Sequence, residues 1–267
     1  MQAADRDVAL TEDQAAAADA GIKAMMPLSI EASAASEVRH SRPFLDYSLS
    51  ALGDAGFTDI CIIVAPGERE IRDRYSRAAI PTRFRVSFAT QLEAAGTADA
   101  LLAAEEFTAG EPFVVVNSDN YYPPDVLASL RTTTEPAGVG FSREGLLRRG
   151  DIAAERIATY AILDVGADGY LRAIIEKPDP SVLDSFGSRI EVSMNCWRLT
   201  AEIFRACRDV PPSPRGELEL PAAVQYAIEV LGMRIRMIHA DAAVLDLSRR
   251  GDVPVVSERL RGVAVKL

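Results

Sequence analysis

Lysine is the scarcest cation in this sequence. It stands only at positions 23, 177 and 266, so 26 of the 29 lysines and arginines are arginine. A lysine ammonium is a compact point charge with three rotatable donors, and the planar arginine fork does not replace it where geometry is tight. Lys23 and Lys177 are therefore the first candidates for chemistry, while Lys266 lies beside the C-terminus and is set aside. Cysteine is also sparse. Cys61, Cys196 and Cys207 are too few and too scattered for a disulfide framework or a zinc site. His40 and His239 have no metal or triad partner nearby in sequence. No apolar run approaches the ~18 residues of a membrane span. Asp5, Arg6 and Asp7 stand where a signal peptide would need an apolar core. No GxSxG, HExxH or P-loop GKS/GKT motif is present. These absences leave a reduced, cytoplasmic, globular protein with no membrane partner.

An excess of basic charge is missing too. Asp and Glu number 39 against 29 Lys and Arg, for a net charge of −10 and a pI near 4.9. A general nucleic-acid binder carries a basic footprint, so that class is excluded. Hydrophobic residues make up 48% and charged residues 25%, enough to bury a real core. The expectation is one domain over residues 1–267.

Short apolar runs alternate with helical segments. Thr11 and Gln14 have capping-box spacing, and Gly21 marks the end of a short helix before Lys23. Residues 43–52 show helical spacing. Residues 59–65 read as a buried strand closed by Pro66 and Gly67, and residues 68–75 as a polar helix. Residues 84–89 form a second strand, 97–107 a helix, and 112–117 the strongest strand in the chain. That order implies crossover units and a parallel sheet. In the second half, residues 136–141, 158–165, 171–175 and 190–199 are strand-like. Residues 200–207, 218–231 and 253–260 are helical. The fold class is α/β, a doubly wound core with a partly antiparallel extension. In such sheets ligands sit outside the carboxyl ends of the strands, so strand exits are the places to examine.

Four segments near strand ends carry chemistry-bearing side chains. Asn117-Ser118-Asp119-Asn120 follows a buried strand. It is either a turn or the edge of a Mg²⁺ site, since Mg²⁺ takes one or two carboxylates plus substrate phosphates. Glu176-Lys177-Pro178 ends another strand, as a solvated pair or as a phosphate contact. Gly96 and Thr97 open a helix after Gln91, and the segment is either a Thr-capped helix or an anion cradle beside an amide able to read a nucleobase. Asp246 closes a short apolar run and is locally uninformative.

Taken together and in order, these segments resemble the sugar nucleotidyltransferase (NTP-transferase) family, which includes sugar-1-phosphate thymidylyl-, guanylyl- and adenylyltransferases. Ile22-Lys23 through Pro27-Leu28 resembles the PKxMLPV segment, and Arg42-Pro43 through Tyr47 resembles KPMIEY. Gln91 with Gly96-Thr97-Ala98-Asp99-Ala100 resembles the Q…GTADA base-recognition segment. Pro112 through Asp119 resembles PFLVVxGD. Tyr160-Ala161 stands for Tyr-Gly, and Glu176-Lys177-Pro178 is EKP. Arg215-Gly216-Glu217 resembles the RGE motif, and Val244 through Gly251 resembles WxDxGT. Ser118 and Ala161 replace glycines. Ser193-Met194-Asn195-Cys196-Trp197 stands where the family has Asn-Ala-Gly-Ile-Tyr or Ser-Met-Gly-Ile-Tyr, so the register is open and either Ser193 or Asn195 is the sugar contact that the resemblance implies.

The resemblance implies a Rossmann-like doubly wound mixed sheet of the nucleotide-diphospho-sugar transferase (GT-A-like) type. It implies attack by a sugar-1-phosphate oxygen on the α-phosphorus of an NTP, with Mg²⁺ as cofactor. Asp119 and Asp246 are then the metal ligands. Lys23 neutralises nucleotide phosphates, and Lys177 holds the sugar phosphate in line. Gln91, Gly96 and Thr97 belong to the nucleotide, and Tyr160, Glu176, Ser193 and Asn195 to the sugar side. A binding protein without turnover and a GT-A-type glycosyltransferase remain the alternatives, and a homo-oligomer is left open. The family's opening strand and GxGTR loop do not precede Lys23. The expectation is that in-frame sequence upstream encodes them and runs into Met1. An interior strand's loss leaves two sheet edges unpaired, against the ~5–15 kcal/mol that holds a domain together. The 267 residues alone are thus expected to be poorly soluble or inactive.

Overall fold

The computed structural model describes residues 10–19, 22–29, 41–187 and 190–267. Gly21 and His40 lie outside them. Helix α1 (Glu12–Asp19) starts as its sequence dictates. The Thr11 N–H donates to Gln14 Oε1 at 3.1 Å, and the Gln14 N–H donates to Thr11 Oγ1 at 3.3 Å. Both orphan donors of the first turn are thereby satisfied. A single 3-10 turn, Lys23–Met25, leads into β1 (Pro27–Ser29), which pairs antiparallel with β2 (Ser41–Pro43).

Helix α2 (Phe44–Asp54) precedes β3 (Asp59–Val64), whose alternate residues Ile60, Ile62 and Val64 are buried. Helix α3 (Glu70–Asp73) and a wide π-helical turn (Arg74–Ala78) cross over to β4 (Arg85–Thr90), parallel to β3. Next come α4 (Thr97–Leu102) and α5 (Glu105–Thr108), which split the single helix expected at 97–107. They are followed by β5 (Phe113–Val115), β6 (Asn120–Tyr121), α6 (Pro124–Thr132) and β7 (Ala137–Ser142). The second half contains α7 (Arg143–Arg148), α8 (Ala154–Ile157), β8 (Ile162–Val165), β9 (Leu171–Ile175) and α9 (Pro180–Phe186). The chain then continues through β10 (Glu191–Leu199), α10 (Glu202–Asp209), α11 (Leu220–Glu229), β11 (Arg236–Ala240), β12 (Leu245–Asp246) and α12 (Asp252–Arg259).

The central mixed sheet runs in the order β11-β7-β10-β8-β9, with β5 added to β10. β7 and β11 are parallel, and the other ladders of this sheet are antiparallel. One expectation needs correction. β5 does not continue a parallel run from β3 and β4. Its ladder is to β10, antiparallel, with Trp197 opposite Val115. Among the described residues β3 and β4 pair only with each other.

Both faces of the large sheet are covered, as a doubly wound fold requires. Leu127 and Leu130 of α6 pack with Val139, Phe141 and Val192 in one core cluster. Trp197 and Leu199 pack with Phe204 of α10 and Ala223, Val224 and Ala227 of α11 in another. Gly138 is what admits Trp197 so close to the sheet, because a Cβ there would overlap the indole ring. Among the described residues no helix is long and apolar enough to cross a membrane.

α2 is pinned by a charge. Asp46 is fully buried, and its carboxylate accepts from Arg74 Nε at 2.9 Å, Arg74 Nη2 at 2.5 Å and the Tyr75 hydroxyl at 2.8 Å. Arg42 adds charge at 3.7 Å. Removing one partner of a buried pair strands the other, so Asp46→Ala is expected to cost about 3–5 kcal/mol in urea unfolding. Asp59→Ala, which breaks the exposed pair with Arg85, should cost far less. Equal losses would contradict this account of α2.

Candidate active site

The exit of β5 is where the chain concentrates negative charge. Asp119 precedes β6, and β6 pairs with β12 so that Asp246 stands opposite Asn120. The Leu247 N–H donates to the Asp119 carbonyl at 2.8 Å. One carboxylate therefore stands on β12 and the other just before its partner strand β6. Asn120 is buried, and its Nδ2 donates to the Tyr122 hydroxyl at 3.1 Å. That hydroxyl donates to the Met194 carbonyl at 2.6 Å, which ties the turn to β10.

Lys23 completes this group from the 3-10 turn. Its Nζ lies 3.3 Å from Asp119 Oδ2. Burial pushes the Asp119 carboxyl above its ordinary range, the Lys23 ammonium opposes that, and the charge of Asp246 adds to it. Asp246 is more enclosed. Its Oδ2 accepts from Arg156 Nη2 at 2.5 Å and from the Tyr160 hydroxyl, and its Oδ1 accepts from Ser248. Burial, and then the charge of Asp246, raise the Tyr160 hydroxyl so that it stays a donor.

The segment from Gln91 to Thr97 is a separate unit. Gln91 follows β4, and its Nε2 donates to the Gly96 carbonyl and to Asp99 Oδ2, both at 2.9 Å. Both partners are acceptors, which fixes the amide orientation. Gly96 has φ +110°, and a Cβ on it would overlap the Leu218 carbonyl. Thr97 does not cap its own helix; its Oγ1 accepts from the Leu220 N–H at 2.8 Å. The Ala98 N–H donates to the Leu218 carbonyl at 2.8 Å, and the Leu218 N–H to the Ala95 carbonyl at 2.7 Å. This loop is stitched to the segment that carries Arg215 and Glu219.

That segment leads to Glu176 and Lys177, which follow β9. The Glu176 carboxyl is pushed up by burial and then by Glu219, with Lys177 and Arg215 opposing. Lys177 has φ +45°, an uncommon conformation for a residue with a side chain. Asn195 has φ +52° and sits at the register break of β10 between Ser193 and Trp197. The Ser193 N–H donates to the Ala161 carbonyl at 2.9 Å, beside Tyr160. Backbone strain of this kind persists where surrounding structure enforces it, and it gathers at working sites.

Direct contacts join Lys23 to Asp119 and Tyr160 to Asp246, the two pairs meeting through the β6–β12 ladder, and join Gln91, Gly96 and Thr97 with the 218–220 segment elsewhere. Sequence reasoning missed Arg156, Ser248, Asp252, Asn120 and Tyr122. Asn120 and Tyr122 adjoin Asp119 and could have been suspected. Arg156 has no signal, because an arginine among charged neighbours reads as a solvated face. Among the described residues no three His, Cys, Asp or Glu side chains gather as a metal cluster. Two carboxylates, one on β12 and one just before β6, have the donor chemistry for an ion that keeps waters and takes phosphate oxygens, as Mg²⁺ does.

Paired carboxylates and a lysine at a strand exit, above a doubly wound mixed sheet, define a phosphate-handling enzyme of the nucleotide-diphospho-sugar transferase fold. Residues 23–247 match the model of the nucleotidyl transferase family, and the chain belongs to that family. It is 24% identical over 232 residues to a glucose-1-phosphate thymidylyltransferase of Actinoplanes sp., covering 84% of this chain and 70% of that protein. It is 25% identical over 214 residues to a UTP–glucose-1-phosphate uridylyltransferase of Komagataeibacter xylinus, covering 70% and 72%. A UTP-bound UGPase from Acinetobacter baumannii superposes with a TM-score of 0.65 at 14% identity, covering 84% of this chain and 85% of that one. A UDP-glucose pyrophosphorylase complexed with UDP-glucose gives 0.63 at 16%, covering 81% and 86%.

Gly96→Ala tests the stitched loop. It should weaken nucleotide affinity, or kcat/KM for the nucleotide, by about 10–100-fold, the scale of a small misplacement of binding groups. Equilibrium titration with nucleotide measures this, and unchanged affinity would mean that the loop does not position the nucleotide.

Proposed function

We propose that this chain transfers a nucleotidyl group from an NTP to a sugar 1-phosphate and releases pyrophosphate. The observation that carries the reading is the contact of Lys23 with Asp119, beside Asp246, at the exit of β5. A phosphate oxygen of the sugar 1-phosphate forms a bond to the α-phosphorus. The bond from that phosphorus to the bridging oxygen breaks, and the electron pair leaves with pyrophosphate. The nucleophile is already an anion, so the protein supplies position and charge rather than a general base.

Asp119 and Asp246 would hold Mg²⁺, which neutralises charge at the α-phosphate when bound. Lys23 meets the nucleotide phosphates and Lys177 the sugar phosphate. Gln91, with both amide hydrogens engaged, offers its Oε1 to the base, while the loop at Gly96 and Thr97 sets the base's place. Glu176, Tyr160, Ser193 and Asn195 orient the sugar. Local cations let a chain of net charge −10 bind two polyanions, because net charge does not set the potential inside a cleft. The names of the relatives make thymidine and uridine triphosphates with glucose 1-phosphate the first substrates to try.

A panel of NTPs against sugar 1-phosphates, read by pyrophosphate release and NDP-sugar formation, tests the reading. Pyrophosphate should appear only with both substrates. Nucleotide-sugar binding with no turnover for any pair in a protein that also carries the upstream strand and loop, or sugar transfer without pyrophosphate, would overturn it.

Two variants sharpen the roles. Asp119→Asn should lower kcat by about 10²–10³-fold, the scale for losing one preorganised charge-stabilising group. Lys177→Arg should be nearly as damaging as Lys177→Ala, with the loss concentrated in sugar-phosphate kinetics. Wild-type kinetics for Lys177→Arg would return that residue to solvent.

A further inference from the structure

The two carboxylates assigned to the metal are not equally open. Asp119 is held through one oxygen, by a lysine at 3.3 Å, and both side chains are more than a quarter exposed. Asp246 is closed. Its side chain is 4% exposed, and three donors of the chain itself bind it. Each carboxylate oxygen offers about two lone-pair sites. On Oδ2 both are taken, by Arg156 and Tyr160. On Oδ1 one is taken, by Ser248.

Arg156 is built into this place. It lies on α8, its side chain is 11% exposed, and it forks between two acids. Nη2 meets Asp246 Oδ2 and Nη1 meets Asp252 Oδ1, each at 2.5 Å. Its ring contact is Tyr160, 6.0 Å from the guanidinium carbon to the ring centroid. Asp252 is anchored separately, since its Oδ2 accepts from the Arg249 N–H at 2.7 Å. The guanidinium can therefore release Asp246 while Asp252 still neutralises it.

We propose that Arg156 is an internal cation that competes with the divalent ion for Asp246. It keeps that carboxylate satisfied in the free protein and yields its Nη2 contact when the ion arrives. A divalent ion on its own meets an open Asp119 and a closed Asp246, so it binds weakly. An ion delivered with nucleotide phosphates brings further ligands, and Asp246 joins it as Arg156 withdraws onto Asp252. Metal and nucleotide then load together. This inference rests on the metal assignment proposed above.

The test is Mn²⁺ binding, followed by the free-ion electron paramagnetic resonance signal and by calorimetry, with and without nucleotide. Without nucleotide, Arg156→Met should bind Mn²⁺ at least about 10-fold more tightly than wild type, an ordinary coupling between two ligands of one site. The difference should shrink when nucleotide is present. Arg156→Met leaves Asp252 uncompensated, so the double variant Arg156→Met with Asp252→Asn provides a charge-balanced form and should show the same gain. Equal or weaker Mn²⁺ binding in a folded variant would overturn the proposal and make Arg156 a positioning residue. Asp119→Asn separates the two readings. If Mn²⁺ binding depends on Asp119 but not on Arg156, only this inference fails. If it does not depend on Asp119, the metal assignment fails, and this inference fails with it.

Discussion

Two carboxylates stand near one another at the exit of β5, and the cations of the site are arranged around them. The pairing of β6 with β12 sets Asp246 opposite Asn120, the residue that follows Asp119. Burial, more than the neighbouring charge, pushes the Asp119 carboxyl upward, and the Lys23 ammonium opposes that push. Help comes from opposite ends of the chain's order. Lys23 approaches from the first turn after α1, and Arg156 from α8. Local bonds fix the surroundings: the capping box starts α1 just before the Lys23 turn, and the turn at Asp119 is held by the Asn120–Tyr122–Met194 bonds. A short ladder thus places the two acids, and the surrounding elements supply the positive charge.

The second group of residues obeys a different constraint. Its residues depend on backbone shape more than on charge. Lys177 and Asn195 both hold a left-handed conformation that side chains disfavour. The loop at Gly96 approaches Leu218 so closely that only glycine fits. Because residues 95–98 share backbone hydrogen bonds with Leu218, the loop at Gly96 and the segment leading to Glu219 form one wall.

Much of this was readable from the chain. The capping box at Thr11 and Gln14, the strand at 59–65 and the strand ending before Asn117 are local signals, and local physics produced them. The order of short motifs led to the fold and to Lys23, Asp119, Lys177 and Asp246. What stayed hidden depends on long-range pairing. No spacing says that β5 would join β10 rather than continue a parallel run. No local pattern distinguishes Arg156, which is buried between acids 90 and 96 positions away, from the arginines that face solvent. Asp46 is similar: in sequence it is a polar residue on a helix, and only the turn at Arg74 and Tyr75 makes it a buried pin.

Arginine makes the ion pairs that hold distant elements together here, as Arg74, Arg156, Arg236 and Arg259 illustrate. That division of labour makes the primary amine a rare functional group in the molecule. A reagent that acylates amines, or condenses with them as an aldehyde, meets three lysine ε-amines in the whole chain, and two of them lie at strand or helix ends of the proposed cleft. In most proteins such reagents scatter over the surface. In this one, ordinary amine chemistry becomes close to an affinity label, and protection by a bound phosphate compound would show directly which lysine faces it.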